Sequence, residues 1–497
     1  MSNSKKREPM SQEKKNLIFY PIGTIGRDAI YQLFANYLYT YALFTRQLTD
    51  AQLVAITAIM VGARIFDALN DPVMGNIIER TRTKWGKFKP WLLAGILSTA
   101  FVVIFIFNTN LQGWAFIWAF GICYFLYSIT YTMNDISYWG MVPSLSEDAN
   151  KRNQFTSRAT LFAGIGGTMV TILVPMLTAG EKAIGGNAQT AYGIIAWVIC
   201  IAAPVFISFL LLGVKENRNY EKEEVPPVSF KKIISTFTGN DQLMWIALAF
   251  ILQQVGNGII LGGIGSTFIY FDFGYDGAKY SLFSTVGMAA TAILMVAYPA
   301  ISRKINRKPL MRYMTIIAVI GYALMLIPGL MLPANNAKFW CLTIGYMLSN
   351  FGQYCFYLIM MISIFNTVEY NELKKGTRDE AIITSLRPFI TKLGSALVVI
   401  ITTLSYLIFG VTKYTNRISE IEQQSSMGNI EDEAKAAAID AVITEVGKGQ
   451  TDGLLIFMTI IPCVLMLGSY FIYKKKYKLD EDTYADIVKQ LEARKQA

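Results

Sequence analysis

Residues 63–75 read Ala-Arg-Ile-Phe-Asp-Ala-Leu-Asn-Asp-Pro-Val-Met-Gly, with Arg64, Asp67, Asn70 and Asp71 set inside a mostly apolar run over 52–79. As a helix, a run of that length crosses a hydrocarbon core of about 30 Å. An ionised side chain at the centre of a crossing costs at least about 2.5–3.5 kcal/mol on insertion scales, so these charges must face a protein interior and find partners. Asp67 and Asp71 stand at i and i+4, which puts both carboxylates on one helix face, with Arg64 a turn earlier and Asn70 beside them. The stretch predicts a membrane helix packed among others.

Eleven further apolar blocks flank it, at approximately 18–43, 90–109, 113–142, 155–178, 190–214, 242–272, 279–301, 312–332, 338–368, 380–411 and 453–473. Backbone inside a bilayer must satisfy its own hydrogen bonds, which leaves helices or a closed barrel. The blocks are too long for barrel strands, and too rich in Leu, Ala, Met and Ile without period-two alternation. A chain of 497 residues with 53% hydrophobic and 16% charged residues is also too apolar for an ordinary soluble enzyme. The predicted fold class is all-α, a polytopic membrane protein of twelve transmembrane helices.

The net charge of +10 resides in alternate loops: Arg80 to Lys89, Lys151 and Arg152, Lys215 to Lys232, Arg303 to Lys308, Lys374 to Arg378, and Lys474 to Lys478. The intervening loops carry little Lys or Arg, or are net acidic in the long one at 412–452. This positive-inside pattern predicts both termini in the cytoplasm and an even number of spans, and it assigns the basic excess to topology, not to a nucleic-acid partner. Met1 to Lys15 has no short apolar core followed by a cleavage site and reads as a cytoplasmic tail. Cys123, Cys200, Cys341, Cys355 and Cys463 lie singly in apolar spans, as small core hydrophobes do. The chain has no histidine, so any ion coupling must run through carboxylates.

The charged segment Val214 to Asn240, with Glu221–Glu224 and Pro226–Pro227, divides the chain into halves of six helices. The expected organisation is a tail over 1–17, a first bundle over 18–214, a linker over 215–241, a second bundle over 242–473 and a tail over 474–497. An extracytoplasmic insertion, 412–452, interrupts the second bundle. Within it, Ile430 to Val446 is acidic and Ala-rich, with Ile439, Ile443 and Val446 at helical spacing. This predicts an external helix, solvated and structural in preference to a gating or partner-binding element.

Two carboxylates as close as Asp67 and Asp71 repel when both are ionised, unless a cation or proton sits between them. With the Asn70 amide oxygen they offer oxygen ligands to a small hard cation such as Na⁺ or Li⁺, and the pair could instead carry H⁺. The alternative is that Arg64 neutralises one acid and the other caps the inner end of the helix. In the first span, Arg27 and Asp28 are embedded between Ile25 and the aromatic run Tyr31, Phe34, Tyr37, Tyr39 and Tyr41. In the fourth, Asp135 and Trp139 stand one turn apart. A carboxylate beside an indole suits a sugar, because the acid accepts hydroxyl bonds and the ring packs on the C–H face. The plainer alternative is an interfacial Trp anchor beside an unrelated acid. Arg158 and Lys392 are candidate partners for these acids, although Arg158 could snorkel to the interface.

The 63–75 run continues through Thr81-Arg-Thr-Lys-Trp-Gly-Lys-Phe-Lys-Pro-Trp91. Thr130-Tyr-Thr-Met-Asn-Asp-Ile-Ser-Tyr-Trp139 follows, then Met141-Val-Pro143, and later Arg378-Asp-Glu-Ala-Ile382 leads into Thr391-Lys-Leu-Gly-Ser395. These motifs resemble the glycoside–pentoside–hexuronide:cation symporter family, the melibiose-permease-like branch of the major facilitator superfamily, over about residues 18–473. The resemblance implies the major facilitator fold, with a substrate site near the midplane between two six-helix halves. It implies Na⁺ binding by Asp67 and Asp71, with Asn70 and Thr132 affecting cation choice. It also implies Asp28 and Asp135 as sugar-hydroxyl acids, Trp139 as a stacking ring, Arg158 as a sugar-site arginine and Lys392 as the link between the two sites.

Arg27 joins the expected substrate-binding set, where the melibiose branch has lysine. Pro388 stands where that branch has a hydroxyl side chain, Asn366 replaces an acid of the inner gating network, and the 412–452 loop is absent from short-looped members. About 24 residues follow the last span, so the phosphotransferase-type domain that some relatives append is not expected.

The expected function is secondary active import of a glycoside, pentoside or hexuronide coupled to Na⁺, Li⁺ or H⁺. The expected partners are the sugar, the cation and the lipid bilayer, with no cofactor beyond the coupling ion. A lysolipid or other amphiphile symporter of the same fold, or a membrane sensor that binds sugar without moving it, are the alternatives. An enzyme is not expected: there is no nucleophile–base pair, phosphate loop or metal cluster, and Gly164-Ile-Gly-Gly167 lies inside a span as helix packing.

Overall fold

The computed structural model describes residues 11–146, 148–216 and 235–496. The basic Lys5, Lys6 and Arg7 of the N-terminal tail, and the Glu221–Glu224 and Pro226–Pro227 stretch of the linker, lie outside the described residues. The first crossing is built in pieces: α1 (Gln12–Ile22), α2 (Thr24–Gln32), a π-helical segment (Leu33–Tyr37) and α3 (Leu38–Thr45). Then come α4 (Asp50–Arg80), α5 (Lys89–Asn108), α6 (Gly113–Gly140), the short α7 (Val142–Leu145), α8 (Ala149–Thr178) and α9 (Ala188–Gly213). The seventh crossing is also segmented, into α10 (Asp241–Gly258), a second π-helical segment (Ile260–Ile264) and α11 (Gly265–Phe273). After it run α12 (Gly277–Ser302), α13 (Arg307–Met331), α14 (Asn336–Lys375) and α15 (Glu380–Ile408). The chain continues through α16 (Val411–Ser426), α17 (Asp432–Thr444), α18 (Lys448–Lys476) and α19 (Glu481–Gln496).

Among the described residues, ten helical runs are long and apolar enough to cross a membrane. The eleventh is α4, bent by 41° between Asp50–Asp67 and Leu69–Arg80, and the segmented first run makes twelve. The bend falls beside the two acids of the 63–75 stretch and one turn before Pro72, a residue that removes a helix hydrogen bond. The start of α4 is fixed by a capping box, in which Thr49 accepts the Gln52 N–H and the Gln52 side chain returns to the Thr49 N–H. Asp276 and Asn335 cap α12 and α14 in the same sense, each accepting an N–H of the first turn. In the second π segment Gly263 holds φ at +123°, where a side chain is rarely tolerated.

The two halves meet tightly at the end of the bundle that carries α16 and α17. There α8 packs on α12 and α3 on α16. The hydroxyls of Tyr39 and Thr403 share a hydrogen bond of 2.9 Å, and Phe44 packs on Tyr270 and Tyr275 at 5.5 and 5.6 Å between ring centroids. The Gly277 N–H donates to the Ala179 carbonyl at 3.3 Å. At the opposite end, nearer the basic loops, the side chains of Asp71 and Asp135 keep 36% and 42% of their surface accessible. The bundle is closed at the insertion end and open at the basic end.

Gly277 permits that closure. A Cβ there would lie 1.7 Å from the Pro175 carbonyl oxygen of α8. Gly277→Val is therefore expected to wedge the closed end, and the distance between spin labels on α8 and α12 should lengthen. An unchanged distance would show that the interface absorbs the side chain.

The helix predicted over 430–446 is observed as α17, but its expected role needs correction. It is preceded by α16, unmarked in the sequence, and together they fasten the closed end. Asn416 accepts the Leu48 N–H at 2.9 Å and donates to the Leu48 carbonyl at 2.8 Å, while Thr412 donates to Asp50 at 2.9 Å. Glu422, wholly buried, accepts the Ala188 N–H at the start of α9 at 2.8 Å and pairs with Lys435 of α17 at 3.0 Å. Lys435 also donates to the Gly186 carbonyl at 2.7 Å. Burial pushes the Glu422 carboxyl up, and Lys435 and the Ala188 N–H act against that shift. The insertion is not a merely solvated helix, because its own Tyr414, Ile418, Ile439 and Val442 are buried.

Candidate functional site

One face of α6 carries Ser128, Thr132, Asp135 and Trp139, at i, i+4, i+7 and i+11. Facing α4, the Ser128 hydroxyl donates to Asp67, and one turn on the Thr132 hydroxyl donates to Asp71 at 3.2 Å. These are two rungs in register, since 61 residues separate the members of each pair. Each acid also meets a protein cation: Arg64 lies 3.6 Å from Asp67, and the Lys392 ammonium of α15 pairs with Asp71. The reading in which Arg64 neutralises one acid thus has its contact here. The other acid does more than cap a helix end, because it ties α4 to a helix of the second half.

Asn70, beside Asp71, has a buried amide nitrogen without a hydrogen-bond partner. Among the described residues no group of three or more Asp, Glu or Cys side chains is placed to hold a metal ion. A cation between Asp67 and Asp71 would therefore draw its remaining ligands from neutral oxygens, of which Asn70, Thr132 and Ser128 are at hand.

About one turn along α6 from Thr132 lies a second charged group. Arg27 of α2, only 1% exposed, reaches Asp28 at 2.8 Å and Asp135 at 2.5 Å. Its guanidinium also lies 4.6 Å from the Tyr138 ring centroid and 5.5 Å from that of Trp139. Two acids and two rings offset the cost of burying this cation. The Thr24 hydroxyl donates to Asp28. The result is a carboxylate–guanidinium–carboxylate row beside a half-buried indole, with the acids turned to the opening. Its free carboxylate edges can accept hydroxyl donors, and the indole offers a flat apolar surface.

The structure brings together Arg27, Asp28, Asp135 and Trp139 in one group, and Asp67, Asp71, Thr132 and Lys392 in another, with Asn70 adjoining. Arg27 stands behind the acids, so it orients them. Arg158 is not brought to the acids: it is exposed on α8 and donates to the Leu17 carbonyl at 3.4 Å. Arg158 lies on an exposed face of α8 against α1, whereas Arg27 serves both acids from the buried side. Ser128 escaped the sequence reading. Its only signal was the helical spacing to Thr132, Asp135 and Trp139.

Over residues 19–481 the chain matches the family described as MFS/sugar transport protein. The lactose permease of Leuconostoc lactis is 30% identical over 404 residues, covering 76% of this chain and 60% of that protein. The raffinose carrier protein of Pediococcus pentosaceus is 28% identical over 493 residues, covering 96% of this chain and 71% of that protein. The chain thus spans less than two thirds of the length of the lactose permease. Among solved structures, a bacterial homologue of the human lysosomal transporter Spinster, inward-facing and occupied, is similar with a TM-score of 0.59 at 12% identity. It covers 93% of this chain and 97% of its own, a likeness of fold.

Proposed function

Because the chain belongs to the MFS/sugar transport protein family, we propose that it is a sugar–cation symporter of the bacterial cell membrane working by alternating access. The observation that carries this reading is the shared face of α6. Ser128 and Thr132 touch the paired acids of α4, and Asp135 meets the Arg27 row in the next turn. A cation settling between Asp67 and Asp71 must compete with Lys392 for Asp71. Its arrival would release a tie between the halves and shift the helix that presents Asp135 and Trp139 to the sugar. By linkage each ligand then raises the affinity of the other by the same factor, typically about 1–3 kcal/mol of coupling. Na⁺ or Li⁺ suits the oxygen set, and a proton is the other candidate.

Positive-inside loops favour the open end as the cytoplasmic one, with both termini on that side. The conformation described is then inward-facing. A midplane site of acids and an indole favours a hydroxylated ligand over a lysolipid, and the relatives are named for sugars.

Thermal unfolding of the purified protein, with a panel of glycosides in Na⁺ or in choline at equal ionic strength, tests this. A ligand present at 100 times its Kd stabilises the folded state by about 2.7 kcal/mol. The expected result is a sugar-dependent rise in Tm that grows in Na⁺. Asp135→Ala should lose the sugar-dependent rise and keep the one due to Na⁺. A sugar shift indifferent to Na⁺ would point to H⁺ or to uniport, and no shift with any glycoside would overturn the sugar reading.

A further inference from the structure

The intramembrane cations of the site pair with acids: Arg27 with Asp28 and Asp135, Arg64 with Asp67, and Lys392 with Asp71. Arg387 of α15 does not. Among the described residues its guanidinium donates to the Met361 sulfur of α14 at 3.2 Å, a weak acceptor, and has no carboxylate partner. Arg387 is four residues before Thr391, so the two share a helix face. The Thr391 hydroxyl is exposed and accepts a hydrogen bond from the Gln254 amide of α10 at 3.2 Å. The next residue, Lys392, reaches across to Asp71 of the first half. Arg387 is half-buried and Thr391 exposed, and the cost of a guanidinium or an amide in lipid turns this face to the opening between the halves. The opposite wall carries Asp28 and Asp135.

We propose that Arg387 binds the carboxylate of a uronic acid unit of the substrate, with Gln254 and Thr391 flanking it. This rests on the symport reading and names the substrate class for it. The planar fork of a guanidinium matches a carboxylate through two parallel hydrogen bonds. The acids of the first half would repel the same carboxylate, so the sugar has one favoured orientation, hydroxyls toward Asp28 and Asp135 and carboxylate toward Arg387. A neutral glycoside would leave the guanidinium with water and a thioether.

The test is binding of matched p-nitrophenyl glycosides to the full-length protein in detergent with Na⁺: glucuronide against glucoside, galacturonide against galactoside, and the 6-phosphates of the neutral pair. In the wild type one uronide should bind about tenfold or more tighter than its neutral counterpart, the scale of a charge-assisted hydrogen bond. Arg387→Gln should erase that preference and leave the neutral affinity within about twofold, whereas Arg387→Lys should keep part of it, as a point charge without the fork. Equal binding of the uronide and neutral sugars by the wild type, or tighter binding of a phosphate than of both uronides, would overturn the inference while the symporter reading stands. An equal loss for both sugars in Arg387→Gln would overturn it too, by giving Arg387 a general or structural role. If no glycoside of either charge binds, the symporter reading falls with it.

Discussion

Asp71→Cys is expected to abolish cation-stimulated uptake while leaving weak sugar binding. Asp71 meets the Lys392 ammonium and the Thr132 hydroxyl. Its loss takes one of two carboxylates from the cation and leaves an ammonium without its acid. An interaction with a charged group is worth about 1.5–3 kcal/mol, so losing one carboxylate ligand should lower cation affinity by about tenfold or more. Asp67→Cys should act in the same direction. Asp67 is 7% exposed, and Arg64 would be left without its acid and the Ser128 hydroxyl without its acceptor. Uptake into proteoliposomes with and without an inward Na⁺ gradient measures this. Full Na⁺ stimulation in both variants would reject the cation site, while the Arg27 row one turn further along α6 could still hold a sugar.

The second large effect lies at the closed end. Glu422 is 0% exposed and Lys435 6%, and removing one member of such a pair leaves a buried charge at a cost of about 3–5 kcal/mol. The cost falls on the closed conformation, because Glu422 also takes the Ala188 N–H of the first half. A bias of about 3 kcal/mol moves a two-state equilibrium by more than 100-fold. Glu422→Ala should therefore populate the conformation open at the insertion end. Thr40, buried behind that end, is a place to look. With the five native cysteines replaced, Thr40→Cys should react faster with an impermeant maleimide from the outside in the Glu422→Ala background. Replacing both Glu422 and Lys435 by leucine should slow the reaction again, since no lone charge then remains. Labelling that ignores Glu422→Ala would mean the pair does not hold the gate.

The twelve crossings were legible because apolar length is a local property, readable without knowing any neighbour. Asp67 and Asp71 were legible for the same reason: a four-residue spacing fixes their common face. Asp135 with Trp139 and the deep position of Lys392 were readable in that way too. What failed to show was whatever depends on how helices register against each other. Ser128 looks like any small residue in a span until α6 is set beside α4. Arg158 looked like a partner for the acids until Arg27 reached both of them first. The greatest loss was α16, whose Lys413, Arg417, Glu420 and Glu422 read as a solvated loop. Packing on α3 and α9, from the far end of the chain, and on α17 buries Tyr414, Ile418 and Glu422.

The two π-helical segments, Leu33–Tyr37 and Ile260–Ile264, touch each other across the halves. The first and seventh crossings hold equivalent places in a six-plus-six arrangement, so each half brings one widened turn to the same point. A π turn interrupts the regular ladder of a helix and gives it somewhere to flex. That contact is the natural fulcrum for the rocking of one half on the other. Asp28 of α2 rides on the short arm of the lever, and the Glu422–Lys435 fastening sits at the tip of the long one.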